Sequence, residues 1–214
     1  MVYSWKILVI GLFTSMIFLL GGCAHTQQSV TYTYIQHSAN VVISPRINDM
    51  NADIQRIGIA PFSFSRPQKE QHARLSIVRP SNAGEIVSDI IADVPLMLGY
   101  DVIDRRQLKI LLEEKNLTVS DLLNPGTGAK MGKTLGIQAV IVGTVTEFDN
   151  WNDGLSWGNH ISFNARFLRL DTGEVLWTTT AAKAGQQDYN VLLHEICNEI
   201  AENLKKQNAI RKIK

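Results

Sequence analysis

The chain has 214 residues, 45% of them hydrophobic and 19% charged, with 21 Lys and Arg against 20 Asp and Glu and a formal net charge of +1. The two signs are interspersed, so there is no basic stripe of the kind that holds nucleic acid. Two cysteines, Cys23 and Cys197, exclude a small scaffold stapled by disulfides.

Lys6 precedes an apolar run from Ile7 to Leu20, broken only by Gly11, Thr14 and Ser15. At about fourteen residues the run is too short for a spanning helix, which needs about 20, and it fits a signal-peptide core of about 7 to 15. It ends on Leu20-Gly21-Gly22-Cys23, which resembles the bacterial lipobox, where the peptide is cut before the cysteine and the thiol is acylated. Residues 1–22 are then a lipoprotein signal peptide, cleaved between Gly22 and Cys23, and Cys23 is the lipidation site. Several acyl chains, each contributing about 0.8 kcal/mol per buried methylene, hold a protein far better than one. Ala24 stands where an Asp would resemble the inner-membrane retention signal of enteric-type bacteria. The expected place is therefore the outer membrane, with the domain facing the periplasm. A lipidated Cys23 leaves Cys197 unpaired, on the apolar stripe of the last predicted helix, where a free cysteine packs as a small core residue.

Residues 23–52 are polar and read as the lipidated N-terminus and a tether. Some 28 such residues reach at most roughly 100 Å and average about 30 Å as a coil, so the domain stays near its membrane. Thr31 to Ile35 and Val41-Val42-Ile43 have strand-like side chains, and part of the tether is expected to dock on the domain or a neighbour.

The folded domain is predicted over 53–214. Ile57-Gly58-Ile59-Ala60-Pro61-Phe62 suits a first strand within Gln55 to Phe64. Ile86, Ile90, Val94 and Met97 recur at helical spacing, with Ser81 or Asn82 as cap and Gly99 as stop. A short strand Tyr100 to Ile103 leads into a helix from Arg105 to Asn116, with Leu108, Leu111 and Leu112 inward and Asp104 as its N-cap. Val119 to Leu123 makes one further turn, and Lys130 to Leu135 a short helix ended by Gly136. Three strands follow, Ala139 to Phe148, Ile161 to Leu170 and Glu174 to Thr180, the last two joined by a tight Asp171-Thr172-Gly173 turn. The final helix, Gln187 to Gln207, carries Tyr189, Leu192, Leu193, Ile196, Ile200 and Leu204 on one side. The expected class is α/β (α+β), a single mixed sheet with a C-terminal antiparallel meander flanked by helices.

No catalytic constellation emerges. Gly132-Lys133-Thr134 with Gly126 and Gly128 misses P-loop spacing by one residue either way, and no nucleotide is expected. The five histidines lie at no metal-ligand spacing, no serine sits in Gly-x-Ser-x-Gly, and the adjacent Glu113 and Glu114 diverge on their helix. No cofactor or metal is expected, and the chain reads as a non-enzyme. Trp151 and Trp157, with Phe148, Gly154 and Gly158, form an aromatic, glycine-rich loop that is the first candidate partner interface. The basic segment containing Arg66 and Arg74 is the second.

The stretches Ile57 to Phe62, Gly99 to Leu108, Gly132 to Phe148 and Phe167-Leu168-Arg169-Leu170-Asp171-Thr172-Gly173-Glu174-Val175-Leu176-Trp177 resemble the curli-assembly lipoprotein family, CsgG. The resemblance implies a periplasmic α/β domain on a lipidated tether, used to build oligomers or bind protein partners in envelope assembly or secretion. The best-known member is a secretion pore whose subunits each add two transmembrane β-hairpins of long strands. Here only twelve residues separate Phe148 from Ile161, and the segment from Thr180 to Gln187 is shorter. The chain is therefore more similar to short members without those hairpins. Among them are LpoB-like lipoproteins that activate a peptidoglycan synthase, although their tethers are longer and richer in proline. Activation of such a synthase and a curli-type export channel are the two alternatives to a partner-binding lipoprotein.

Overall fold

A computed structural model of the chain describes residues 38–47, 53–64, 76–78, 80–152 and 154–207. Its strands are β1 (Ser38–Ile43), β2 (Arg56–Ile59), β3 (Ser63–Phe64), β4 (Ser76–Val78), β5 (Asp101–Ile103), β6 (Ala139–Asn152), β7 (Trp157–Arg169) and β8 (Val175–Gly185). The helices are α1 (Ala83–Ile91), α2 (Asp93–Met97), α3 (Arg105–Glu114), α4 (Val119–Leu123), α5 (Pro125–Leu135) and α6 (Tyr189–Lys206).

Runs of β-branched and aromatic residues make β6, β7 and β8 the longest strands, and they pair antiparallel as the expected meander. The eight strands form one mixed sheet in the order β1-β8-β7-β6-β2-β5, with β3 and β4 also paired to β6. Within it β2 runs parallel to both β5 and β6. This is the fold class expected from the sequence.

Alternation along the strands sends side chains to two cores. Ile57, Ile141, Phe163, Phe167 and Trp177 meet α1, α2 and the stripe Leu192, Leu193, Ile196, Cys197, Ile200, Leu204 of α6. Burial of each such side chain contributes about 1.5–3 kcal/mol. On the opposite face Ile103, Val140 and Leu170 meet Leu108 and Leu112 of α3, Leu122 of α4 and Met131 and Leu135 of α5. Those three helices cover the β2 and β5 edge, the start of β6 and the end of β7 on that face. Farther across, exposed Asn40, Val42, Arg166 and Thr180 and half-buried Thr144 and Asn164 leave this part of the sheet mostly polar and uncovered among the described residues.

Several expected boundaries shift. The spacing that predicts one helix up to Gly99 is divided into α1 and α2 at Ala92. Its buried stripe is Val87, Ile91, Val94 and Leu98; Ile86 and Ile90 are half-buried and Met97 is exposed. The reason is that small residues face the sheet: Gly84 and Ser88 are buried, and the Ser88 hydroxyl donates to the Gly84 carbonyl at 2.7 Å. The predicted first strand is two, β2 and β3, separated around Pro61. Helix α5 begins at Pro125, five residues before its expected start, because Asn124 caps it and Pro125 occupies its first position. Asp104 caps α3 as expected, accepting from the Gln107 amide at 2.9 Å.

Residues 38–47, assigned by their polarity to the tether, enter the domain. β1 pairs along the edge of β8, from Ser38 opposite Ala182 to Ile43 opposite Trp177. On either side of residues 48–52, Ile47 (3% exposed) and Ile54 (0%) are buried in the core. Side chains pin this strap. Arg46 bonds Glu174 at 3.0 Å, and Arg169 holds Asp53 through two bonds of 2.6 and 2.7 Å and Asp171 through two of 2.6 and 2.8 Å.

Candidate functional site

The two candidate tryptophans do not share a loop. β6 and β7 extend beyond their predicted ends to Asn152 and Trp157, so residues 153–156 alone connect them. Alternation then separates the rings. Trp151 pairs in register with Gly158, and a Cβ at position 158 would lie 2.8 Å from the indole, so the ring covers that glycine and is half-buried. Trp157 belongs to the row of Asn159 and Ile161, on the face covered by α6, and stays 47% exposed. Beside it, Leu155 is 99% exposed, a residue not singled out by the sequence pattern.

Below this tip the hairpin is stiff. The Asn150 amide donates to Asn159 at 3.0 Å, and Asn159 donates to the Gln187 carbonyl at 2.7 Å, tying the hairpin to the start of α6. Phe148 packs on Tyr189 with ring centroids 5.3 Å apart. A β-bulge between Val145 and Glu147 accompanies the pairing of Glu147 with His160 Nδ1 at 3.0 Å. β4 flanks residues 150–152 on the other side. The arrangement can present a small, rigid apolar tip; among the described residues no His, Cys, Asp and Glu group could hold a metal.

Gly22 and Cys23 of the lipobox and Arg66 and Arg74 of the second candidate interface lie outside the described residues. The P-loop-like glycines have a packing role. A Cβ on Gly128 would lie 2.5 Å from the Leu122 carbonyl oxygen and 2.9 Å from that of Leu170, and one on Gly132 would lie 2.7 Å from that of Ile137. Glycine at both positions lets α5 lie directly on neighbouring backbone. Lys133 and Thr134 face solvent.

Other polar clusters, not singled out by the sequence pattern, serve architecture. Arg105, 6% exposed, holds Asp89 through bonds of 2.8 and 3.0 Å and reaches Glu85 at 3.3 Å, clamping α1 to α3. Hydrogen bonds from Arg169 hold the carboxyls of Asp53 and Asp171 below the usual carboxylate range. Burial, helped by the charge of Asp93, pushes the Cys197 thiol up to about 12. The two connections that would have to carry transmembrane hairpins are residues 153–156 and 186–188.

No curated protein matches the chain. Among solved structures it is similar to a PelC dodecamer from Paraburkholderia phytofirmans, at 12% identity and a TM-score of 0.53, with 79% of this chain and 98% of that one covered. It is also similar to lipoprotein GNA1162 from Neisseria meningitidis, at 18% identity and a TM-score of 0.52, covering 71% and 99%. At these identities the likeness is one of fold. The model of the family described as curli production assembly/transport component CsgG matches residues 80–212, well over half of the sequence, and the chain belongs to the CsgG family.

Proposed function

We propose that this chain is a non-enzymatic lipoprotein of the outer membrane whose CsgG-family domain faces the periplasm and binds protein partners, further copies of itself among them, in envelope assembly or secretion. The observation that carries this reading is the lipobox Leu20-Gly21-Gly22-Cys23 placed about fifteen residues ahead of β1 in a CsgG-family chain. The fold likeness to a PelC solved as a dodecamer supports self-assembly. Arg66 and Arg74, with the hairpin tip at Trp157, are the surfaces for partners. An export channel is the less favoured reading, because the connections at 153–156 and 186–188 are far shorter than a pair of membrane-crossing strands of about 9 to 11 residues each.

The test has two parts. Cells expressing the chain with labelled palmitate should acylate it, and Cys23→Ser should abolish both the label and outer-membrane fractionation; label persisting in Cys23→Ser would reject the anchor. Photo-crosslinkers at Trp157 and Arg74 in cells should trap discrete adducts, and sedimentation of the purified chain should show an oligomer. A monomer without adducts would reject partner binding.

A further inference from the structure

Strand β1 forms one border of the sheet, and among the described residues no strand lies against its outer side. Its register fixes which groups point there. Ser44, continuing the ladder, donates to the Leu176 carbonyl at 2.9 Å, so the even residues of β1 bond β8, and the backbone N–H and C=O groups of Ala39, Val41 and Ile43 point outward. Among the described residues only the Ala39 carbonyl has a partner, the Asn203 side-chain amide at 3.2 Å. An edge of this kind invites another strand, and proteins ordinarily blunt it with charge, proline or a bulge. Ser38–Ile43 has none of these, and Val42 is 61% exposed. The opposite border, β5, is only three residues long and carries Asp101. Helix α6 brings charge to the open edge. It starts near β7, where Asn159 donates to the Gln187 carbonyl at 2.7 Å, and it reaches β1 in its last turn, where Asn203 meets Ala39. Lys206, three residues on, shares that side of the helix, exposed and without an ion pair among the described residues, whereas Lys205 is held by Glu202 at 3.1 Å. From Glu199 to Lys214 the sequence has five Lys and Arg against two Glu.

We propose that the free edge of β1 is a strand-addition site for an extended, acidic segment of a partner protein, which pairs antiparallel with Ala39, Val41 and Ile43. This deepens the partner-binding reading above and does not depend on the lipid anchor. Residues that bond across an antiparallel ladder carry their side chains to the same face, so those opposite Ala39, Val41 and Ile43 stand on the α6 side, where acidic groups meet the basic end of the helix. The side chains between them lie beside Asn40 and Val42 on the uncovered face. Main-chain bonds supply the affinity and the alternating side chains the selectivity. The same cations disfavour a second copy at this edge, since β1 paired with β1 would bring two basic helix ends together.

The experiment uses the full chain purified in detergent and, as probe, a fluorescein-labelled hexapeptide of alternating Glu and Val. The expected result is a saturable rise in fluorescence anisotropy, together with slowed deuterium exchange at the amides of Ala39, Val41 and Ile43 in the fragment Ser38 to Ser44. Binding should weaken about tenfold or more when Lys replaces Glu in the peptide, and likewise in Lys206→Glu. Methylating the peptide's Glu amides, which face β1, should abolish it, and methylating its Val amides should not. This control leaves the protein untouched, so it holds whatever a variant does to folding. No anisotropy change up to millimolar peptide would overturn the site. So would binding indifferent to methylation, which marks a purely ionic contact with the basic end of α6. Protection of the three amides in the free chain would also overturn it, in favour of a second copy if the chain sediments as an oligomer and of the chain's own segments if it sediments as a monomer. Crosslinked adducts at Trp157 and Arg74 would stand in each of these cases, so the failure of this site is distinguishable from the failure of partner binding.

Discussion

Arg169 shows what one side chain does to the entry of the chain. Its guanidinium meets Asp53 before β2 and Asp171 after β7, closing the strap onto the β7–β8 turn. Arg169→Ala should cost about 1–3 kcal/mol, discounted because both aspartates are half-exposed and the pairs are screened. Both carboxyls are held below their ordinary range, so their contribution is complete above the unfolded value near 3.9 and disappears as pH falls through the lowered folded values. Denaturant titrations should therefore show the gap between wild type and Arg169→Ala constant from pH 7 to 5 and shrinking below about pH 4; a gap independent of pH would refute the ionic origin. Cys197 is a different case. With its thiol raised to about 12 and 1% exposed, it should resist thiol reagents at pH 8 in the native Cys23→Ser chain and react at once in denaturant. The small-core role was legible from its place in the helical stripe. The Arg169 and Arg105 clusters were not, because Asp53 lies 116 residues from Arg169 and Asp89 and Glu85 sit on another helix from Arg105.

At the scale of elements, α5 is held by contact between backbones. Helix propensity alone favours Gly128→Ala by about 1 kcal/mol. A methyl pressed against the carbonyls of Leu122 and Leu170 should reverse that sign and lower stability by about 1–3 kcal/mol. Gly126→Ala is the internal control: the nearest atom is the Asn124 side-chain oxygen at 3.3 Å, so its effect should stay within about 1 kcal/mol. Thermal unfolding of the pair checks the difference. The same glycines explain why the start of α5 was missed from sequence, where the weak helix formers Gly126, Thr127 and Gly128 outweighed a sound Asn124-Pro125 start signal. The aromatic loop failed for a related reason. Asn and Gly around Trp151 and Trp157 resemble turn residues, yet cross-strand bonds such as Asn150 to Asn159 keep the ladder running to the tip. Large apolar residues marked α1 and α2 correctly as helical but pointed to the wrong centre of their buried face, since Gly84 and Ser88 carry no hydrophobic signal.

For the whole molecule, the decisive step is the capture of residues 38–47 and of Ile54. A chain beginning at residue 53 lacks β1, with Ala39 and Val41, and the buried Ile47, a loss of about 3 kcal/mol or more of apolar burial, and it exposes the edge of β8. It should melt lower and self-associate on size exclusion, whereas one beginning at residue 38 should stay well behaved; equal melting of the two would show that the strap contributes nothing. By itself the sequence determined the mixed α/β class, the meander, the final amphipathic helix, the lipobox and the family resemblance. Each is written in local periodicity or in short motifs, where near neighbours carry the signal. Only the tertiary structure decided that the strand-like Val41-Val42-Ile43 stretch pairs with the edge of β8, that Trp151 and Trp157 face opposite ways, and that Leu155 stands at the same end of the sheet as Ser38. Those outcomes depend on strand register and on partners far apart in sequence, and the pairing energy that selects them exists only once the sheet is assembled.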